Sequence, residues 1–241
     1  MPLIVMCGYP CSGKTRRAHE MREYFTLNTE RKVHIVGDDD QGIEKNSVYA
    51  DSQKEKDMRG ALRADVERKV TKEDIVILDS LNYIKGYRYE LFCLIKHTQT
   101  THCVVYCLTS ADTSSEWNKV RDADHRYTQE ILEALVLRFE GPDSRNRWDS
   151  PLFTIQQEDT LPFEAIFDAL FKRKAPPPNQ STQNQPLSSS NFLYELDKVT
   201  QEVLLLRKLR RQFISYTKMH PTENIGQISN MFVQYLNKSM H

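Results

Sequence analysis

The stretch LIVMCGYPCSGKT, Leu3 to Thr15, decides how the rest of the chain reads. Its five apolar residues, Leu3 to Cys7, run directly into a glycine, as a buried parallel strand does where it enters a phosphate loop. Gly8, Tyr9, Pro10, Cys11, Ser12, Gly13, Lys14 and Thr15 then satisfy the spacing G-x-x-x-x-G-K-T in full. Each part of that spacing has a task. Gly8 and Gly13 permit backbone angles and a close approach that a side chain would forbid, so the loop amides point inward at an anion. Lys14 is placed to reach the β- and γ-phosphates and Thr15 to offer its hydroxyl to Mg²⁺. The helix that starts there adds the positive end of its dipole. The implied ligand is ATP or GTP with Mg²⁺.

Outward from this loop, Lys14 to Phe25 reads as the following helix, and Val33 to Val36 as a second strand ending at Gly37 and the acids Asp38, Asp39 and Asp40. Ser52 to Lys69 is charged, with Met58, Ala61, Leu62 and Val66 at helical spacing, and Ile75 to Leu78 is a third strand closed by Asp79 and Ser80. A helical stretch near Tyr89 to His97, a strand Val104 to Leu108, a helix Thr128 to Phe139 stopped by Gly141-Pro142, a strand Leu152 to Ile155 and a helix Phe163 to Phe171 follow. Strands alternating with helices predict an α/β fold, a P-loop NTPase parallel sheet flanked by helices. This domain occupies residues 1–174. Residues 175–190, APPPNQSTQNQPLSSS, lack apolar periodicity and read as a flexible linker. Residues 191–241 read as a small helical domain, with Asn191 as the cap of a helix carrying Leu193, Leu196, Val199, Val203, Leu206, Leu209, Phe213 and Tyr216, and a shorter helix after Pro221.

Composition excludes little and bounds much. Among the 241 residues, Lys plus Arg and Asp plus Glu each total 33, so a formal net charge of zero gives no global attraction to nucleic acid or an anionic membrane. No apolar run approaches the ~20 residues of a membrane span, and no secretory leader precedes the glycine loop. The five cysteines include no C-x-x-C pair and read as reduced, intracellular thiols; Cys103 and Cys107 share one strand face in HCVVYCL and read as core.

Three groups of residues add chemistry to the loop. Asp79, after IVIL, stands where a Walker B acid binds Mg²⁺ directly or through water, with a helix N-cap as the bland alternative. Asp38, nearest the end of the second strand, is placed to orient water or accept a proton, against a solvated acidic turn. Arg121 and Arg126, in RDADHR, are candidates for a lid that spreads developing charge over the triphosphate, against a solvated loop; His125 between them reads as exposed or packed.

Several segments together resemble one family: GYPCSGKT, VILDSLNYIKGYRYEL, RFEGPDSRNRWDSPLF, NFLYELDKVTQEV and FVQYLNKSM. Nearly the whole chain resembles the family of the Elongator-associated killer-toxin-insensitivity protein twelve, whose N-terminal domain is similar to the kinase that phosphorylates seryl-tRNA. The resemblance implies a kinase-like P-loop domain and an ATPase that binds tRNA and assists Elongator in wobble-uridine modification, in the cytoplasm and also the nucleus. Carried over by matching segments, Gly8, Gly13, Lys14 and Thr15 are the nucleotide loop, Asp79 the Walker B acid and Asp38 the acid of the kinase relatives. The lid arginines depart from the R-x-x-x-R of such kinases, being separated by four residues.

The tail has its own charge. Residues 191–241 hold seven basic residues against four acids, a local net of +3. Arg207, Lys208, Arg210 and Arg211 crowd one helical turn, and with Lys218 they are candidate RNA-phosphate contacts, against a solvated helix face. Arg145 and Arg147, beside Trp148, extend the candidate surface, with Trp148 equally readable as core. Two rivals to the ATPase stay open: a kinase acting on a tRNA-borne or small-molecule hydroxyl, and a nucleotide-gated adaptor that uses the apolar stripe of the tail. Oligomeric state is open.

Overall fold

The computed structural model describes residues 2–38, 44–70, 74–178, 190–220 and 225–239. Asp39, Asp40 and most of the expected linker lie outside the described residues. The chain divides into two compact units, Met1–Gln180 and Ser181–His241.

The first unit is built on five parallel strands, β1 Leu3–Cys7, β2 Val33–Gly37, β3 Ile75–Asp79, β4 His102–Cys107 and β5 Leu152–Ile155, in the order β2-β3-β1-β4-β5. Short apolar strands of this kind are buried on both faces because the crossover helices cover both. Alternation sorts their side chains. Leu3, Val5, Cys7, Val76, Leu78 and Val104 face one layer, with Met58, Leu62 and Val66 of α3 (Ser52–Lys69) and Leu91, Leu94 and Ile95 of α4 (Lys85–His97). Ile4, Met6, Ile75, Ile77, Cys103, Val105 and Cys107 face the other, with Ala18, Met21 and Phe25 of α1 (Lys14–Asn28) and Ile166, Ala169 and Leu170 of α7 (Phe163–Phe171). Cys103 and Cys107 are therefore core residues on one face.

Two helices escape the apolar pattern. α2, Lys45–Tyr49, is one short turn, and α5, Ala111–Lys119, has Trp117 as its large apolar residue, so neither presents a periodic stripe. What starts α5 is Ser110, whose hydroxyl accepts from Thr113 N at 3.0 Å. α6, Gln129–Leu137, begins at the Thr128 cap. α4 starts four residues before the expected Tyr89, because Gly86 is tolerated in a first turn. β4 starts earlier than expected, His102 and Cys103 pairing with Leu3 and Ile4.

β1 sends its crossover toward β2, and β3 sends its own across β1 to β4. This reversal opens a crevice at the carboxyl ends of β1 and β3, where open α/β sheets bind ligands.

The second unit contains α8, Ser190–Met219, and α9, Ile225–Ser239. The first of these begins at Ser190, so Asn191 lies inside the helix rather than capping it. Phe213 packs against Phe232 and Tyr235 at ring-centroid distances of 4.9 and 5.5 Å, which joins the two helices. No described helix is long and apolar enough to cross a membrane.

Candidate functional site

The loop between β1 and α1 is held in a shape that its residues dictate. Gly8 has φ +151, and a Cβ there would stand 2.6 Å from Ser12 Oγ and 2.7 Å from the Cys107 carbonyl oxygen. Gly13, at φ 85 and ψ 11, is the left-handed residue from which α1 starts. Lys14 is buried, and its Nζ donates to the carbonyls of Gly8 at 3.1 Å and Tyr9 at 2.5 Å and to Ser12 Oγ at 3.4 Å. Burial pulls its pKa below the ordinary lysine value, while Cys107, Asp79, Cys7 and Asp38 pull it back up. Such an amine is poised to exchange loop carbonyls for phosphate oxygens.

From below, α5 supports the loop. Ser114 Oγ donates to the Pro10 carbonyl at 2.5 Å, and Cys11 Sγ lies 3.5 Å from Asn118 Oδ1. Asn118 also clamps Tyr127, donating to its carbonyl at 2.8 Å and accepting from its N at 3.0 Å. Ser114 and Asn118 are four apart on one helix face and buried, a polar stripe that hydrophobic periodicity does not register.

Asp38 and Asp79 meet this loop through the sheet. Gly37 pairs with Asp79 across β2 and β3, so Asp38 follows directly beside the end of β3. Asp38 is buried; its Oδ2 accepts from Tyr49 at 2.7 Å and its Oδ1 has no hydrogen-bond partner among the described residues. Burial raises its pKa, opposed by the Ser80 and Tyr49 hydroxyls and then by Lys45 and Lys14.

A cavity of about 440 Å³ lies over this arrangement, lined by residues 10–16 of the loop together with Asp38, Asp79, Ser80, Lys45, Trp117, Arg121 and Tyr127, among others. Of the lid candidates, Arg121 lines it, with Nη1 3.5 Å from Cys11 Sγ. Arg126 does not, since its guanidinium turns back onto the Arg121 carbonyl at 2.7 Å. Tyr9 is also outside the lining, its ring set edge-on against Phe139 at 4.7 Å; its contribution to the loop is its carbonyl. His125 is exposed in a 3-10 turn, Ala123–His125. Lys45, Tyr49, Ser80 and Trp117 were not singled out by sequence reasoning.

In the second unit, Arg207, Lys208, Arg210, Arg211 and Lys218 are exposed on α8. Leu209 and Phe213 of the same helix are buried. In the first unit Arg145 and Arg147 are exposed and Trp148 is half-buried beside Tyr89.

The family model described as chromatin associated protein KTI12 matches residues 1–206 and 202–237. The chain is 76% identical to the protein KTI12 homolog of Danio rerio over an alignment 275 positions long, and 39% identical to that of Homo sapiens over one of 356, covering all of both chains in each case. Among solved structures it is similar to Chaetomium thermophilum Kti12 in complex with ADP-AlF3, at 38% identity and a TM-score of 0.64, over 70% of this chain and 99% of that one. A P-loop at the carboxyl edge of a five-stranded parallel sheet, a helical C-terminal part and matches of this extent have one reading: the chain belongs to the KTI12 family.

Proposed function

We propose that this protein is a Mg²⁺-dependent ATPase whose turnover is raised by tRNA and which serves Elongator-dependent modification of the wobble uridine. The observation that carries the nucleotide half is the convergence of Lys14, Asp38 and Asp79 on one cavity over the P-loop. A relative crystallised with ADP-AlF3, a combination that imitates a phosphoryl group in transfer, supports the same reading. The tRNA and Elongator half rests on the family and on the exposed basic turn of α8.

Lys14 trades its loop carbonyls for the β- and γ-phosphates, and the loop amides and the start of α1 carry their charge. The donors fit Mg²⁺. A hydroxyl and a carboxylate, Thr15 and Asp79, are hard oxygen ligands and both line the cavity. Thr15 and Asp79 would hold the ion, which would supply positive charge to offset that of the phosphates. Asp38, with one buried oxygen unpartnered in the cavity wall, orients the attacking water and takes its proton. Arg121 spreads the developing charge. A second cavity of about 410 Å³, walled by Gly13, Arg16, Trp117 and residues 155–158, gives the nucleoside room next to the phosphates.

Asp38 works ionised, and its raised pKa fixes the pH dependence. The acid limb of kcat/KM is expected above the ordinary carboxylate value of about 4. Tyr49→Phe removes a hydrogen bond that favours the carboxylate and moves the limb higher still. For stability the sign is opposite to that of a salt-bridged acid: the folded state holds this proton more tightly, so the group's contribution falls as pH rises from the unfolded value through the raised one. A pH-rate profile of both proteins checks this; a limb unmoved by Tyr49→Phe contradicts the role given to Asp38.

Steady-state ATP turnover with and without bulk tRNA, in wild type and Asp38→Ala, tests the whole reading. The expected results are stimulation by tRNA and a loss on the order of 10²-fold or more in the variant. Absence of turnover in both conditions would sink it. Label from γ-phosphate appearing on the tRNA would instead favour a kinase, to which the same buried acid is suited.

A further inference from the structure

A third cavity, of about 490 Å³, lies at the amino ends of β4 and β5, the sheet edge opposite the P-loop. Arg145 and Arg147 come from the loop before β5, and Arg173 and Lys174 from the segment after α7; no acid joins them in the lining. The floor includes Phe92 and His102. Burial, with Arg173 nearby, holds the His102 imidazole below its ordinary pKa, opposed by its contact with the Trp148 carbonyl at 3.2 Å. Its charged form is thereby disfavoured.

Counter-charges are few. Asp143 pairs with Arg145 through bonds as short as 2.6 Å, and Arg145 holds the Asp143 carboxyl down at about 2. Asp149 is taken by Arg88, and Asp168 by Lys172. Among the described residues no carboxylate pairs with Arg147, Arg173 or Lys174, and all three cations face one groove.

Beside the cations stands an aromatic platform. Tyr89 lies one helical turn before Phe92 on α4 and is 46% exposed. Trp148 braces it in a T-shaped contact at 5.3 Å, and Lys85 Nζ lies 5.5 Å from the Trp148 ring. Arg147, which lines the groove, immediately precedes Trp148 in the chain. Cations alone would suit an acidic peptide equally well. Cations flanking an exposed ring suit a strand that alternates phosphates with flat bases.

We propose that this groove, with Tyr89 at its rim, is a binding site for single-stranded RNA on the P-loop unit, separate from the basic turn of α8. It rests on the reading of the protein as an RNA-coupled ATPase. Arg147, Arg173 and Lys174 take backbone phosphates, and Tyr89 stacks on an unpaired base.

The test is fluorescence anisotropy of a short single-stranded RNA with the full chain, across a salt series, for wild type, Arg147→Ala/Arg173→Ala, Tyr89→Ala and Tyr89→Phe. Losing two phosphate contacts should reduce the slope of log K against log salt by about 1.4. Tyr89→Ala should weaken binding roughly five- to a hundredfold, and Tyr89→Phe should restore it. ATP turnover without RNA should be unchanged in every variant, which marks the fold as intact. If wild type binds RNA and the variants bind it equally, this inference falls and the ATPase reading stands. If wild type does not bind the single strand, this inference falls, and the ATPase reading is decided separately by turnover with bulk tRNA. If an acidic peptide of equal charge competes as well as RNA, and Tyr89→Ala binds as wild type, the groove is a general anion site and the inference is overturned.

Discussion

Lys14→Ala is expected to abolish nucleotide turnover, lowering kcat by at least 10²–10³-fold, the loss typical of removing one preorganised charge donor from a transferring group. The reason lies in what surrounds the amine. It is buried and held by two loop carbonyls and a serine hydroxyl, and burial disfavours its charge, so anionic phosphate oxygens stabilise it more than the neutral carbonyls they replace. Folding should survive the change, because a buried ammonium is itself costly. Nucleotide titration together with a denaturation curve checks both halves. Lost turnover with an unchanged unfolding midpoint is the expected pair of results, and turnover retained within tenfold would contradict the placement of Lys14.

The largest stability effect is expected far from that lysine. Arg88 and Asp149 form an ion pair at 2.7 Å, with side chains 1% and 0% exposed. Arg88 also donates to the carbonyls of Asn82 at 3.0 Å and Glu140 at 2.9 Å, and Asp149 accepts from Asp143 N at 3.1 Å. Asn82, at φ 47, in turn donates to the Met6 carbonyl at 2.6 Å, at the end of β1. One pair thus ties the segment 140–149 to the strand that feeds the phosphate loop. Removing one partner leaves the other buried and uncompensated, so Asp149→Ala should cost about 3–5 kcal/mol in urea unfolding. Arg88→Met/Asp149→Leu should recover much of that loss, since an apolar pair needs no compensation. A double variant no more stable than Asp149→Ala would show that the carbonyl bonds of Arg88, rather than the charges, carry the effect.

Much of this was readable before the fold was known, and the boundary has physical causes. β1, α3, β5 and α7 have apolar residues at strand or helix periods between clear stops, and each falls where periodicity puts it. α5 was illegible because its useful face is polar: Ser114 and Asn118 bond the loop, and one tryptophan is not a stripe. The P-loop is legible because its glycines are required by backbone geometry, as the 2.6 Å approach at Gly8 makes plain. The arginines were legible only as a pair. Arg121 and Arg126 share a charged loop, yet only Arg121 lines the cavity, because the 3-10 turn between them folds Arg126 onto the chain itself. Tyr49 and Ser80 gave no signal, since their part depends on the pairing of β2 with β3 that carries Asp38 to their hydroxyls. The ion pair of Arg88 with Asp149 spans sixty-one positions and leaves no local trace.

The central claim is that this cavity hydrolyses ATP in response to tRNA. Following γ-labelled ATP with the full chain, Mg²⁺ and bulk tRNA tests it most directly. Label is expected as free phosphate, released faster with tRNA than without, and lost in Lys14→Ala. Equal release by Lys14→Ala and wild type, or no release with tRNA present, would contradict it.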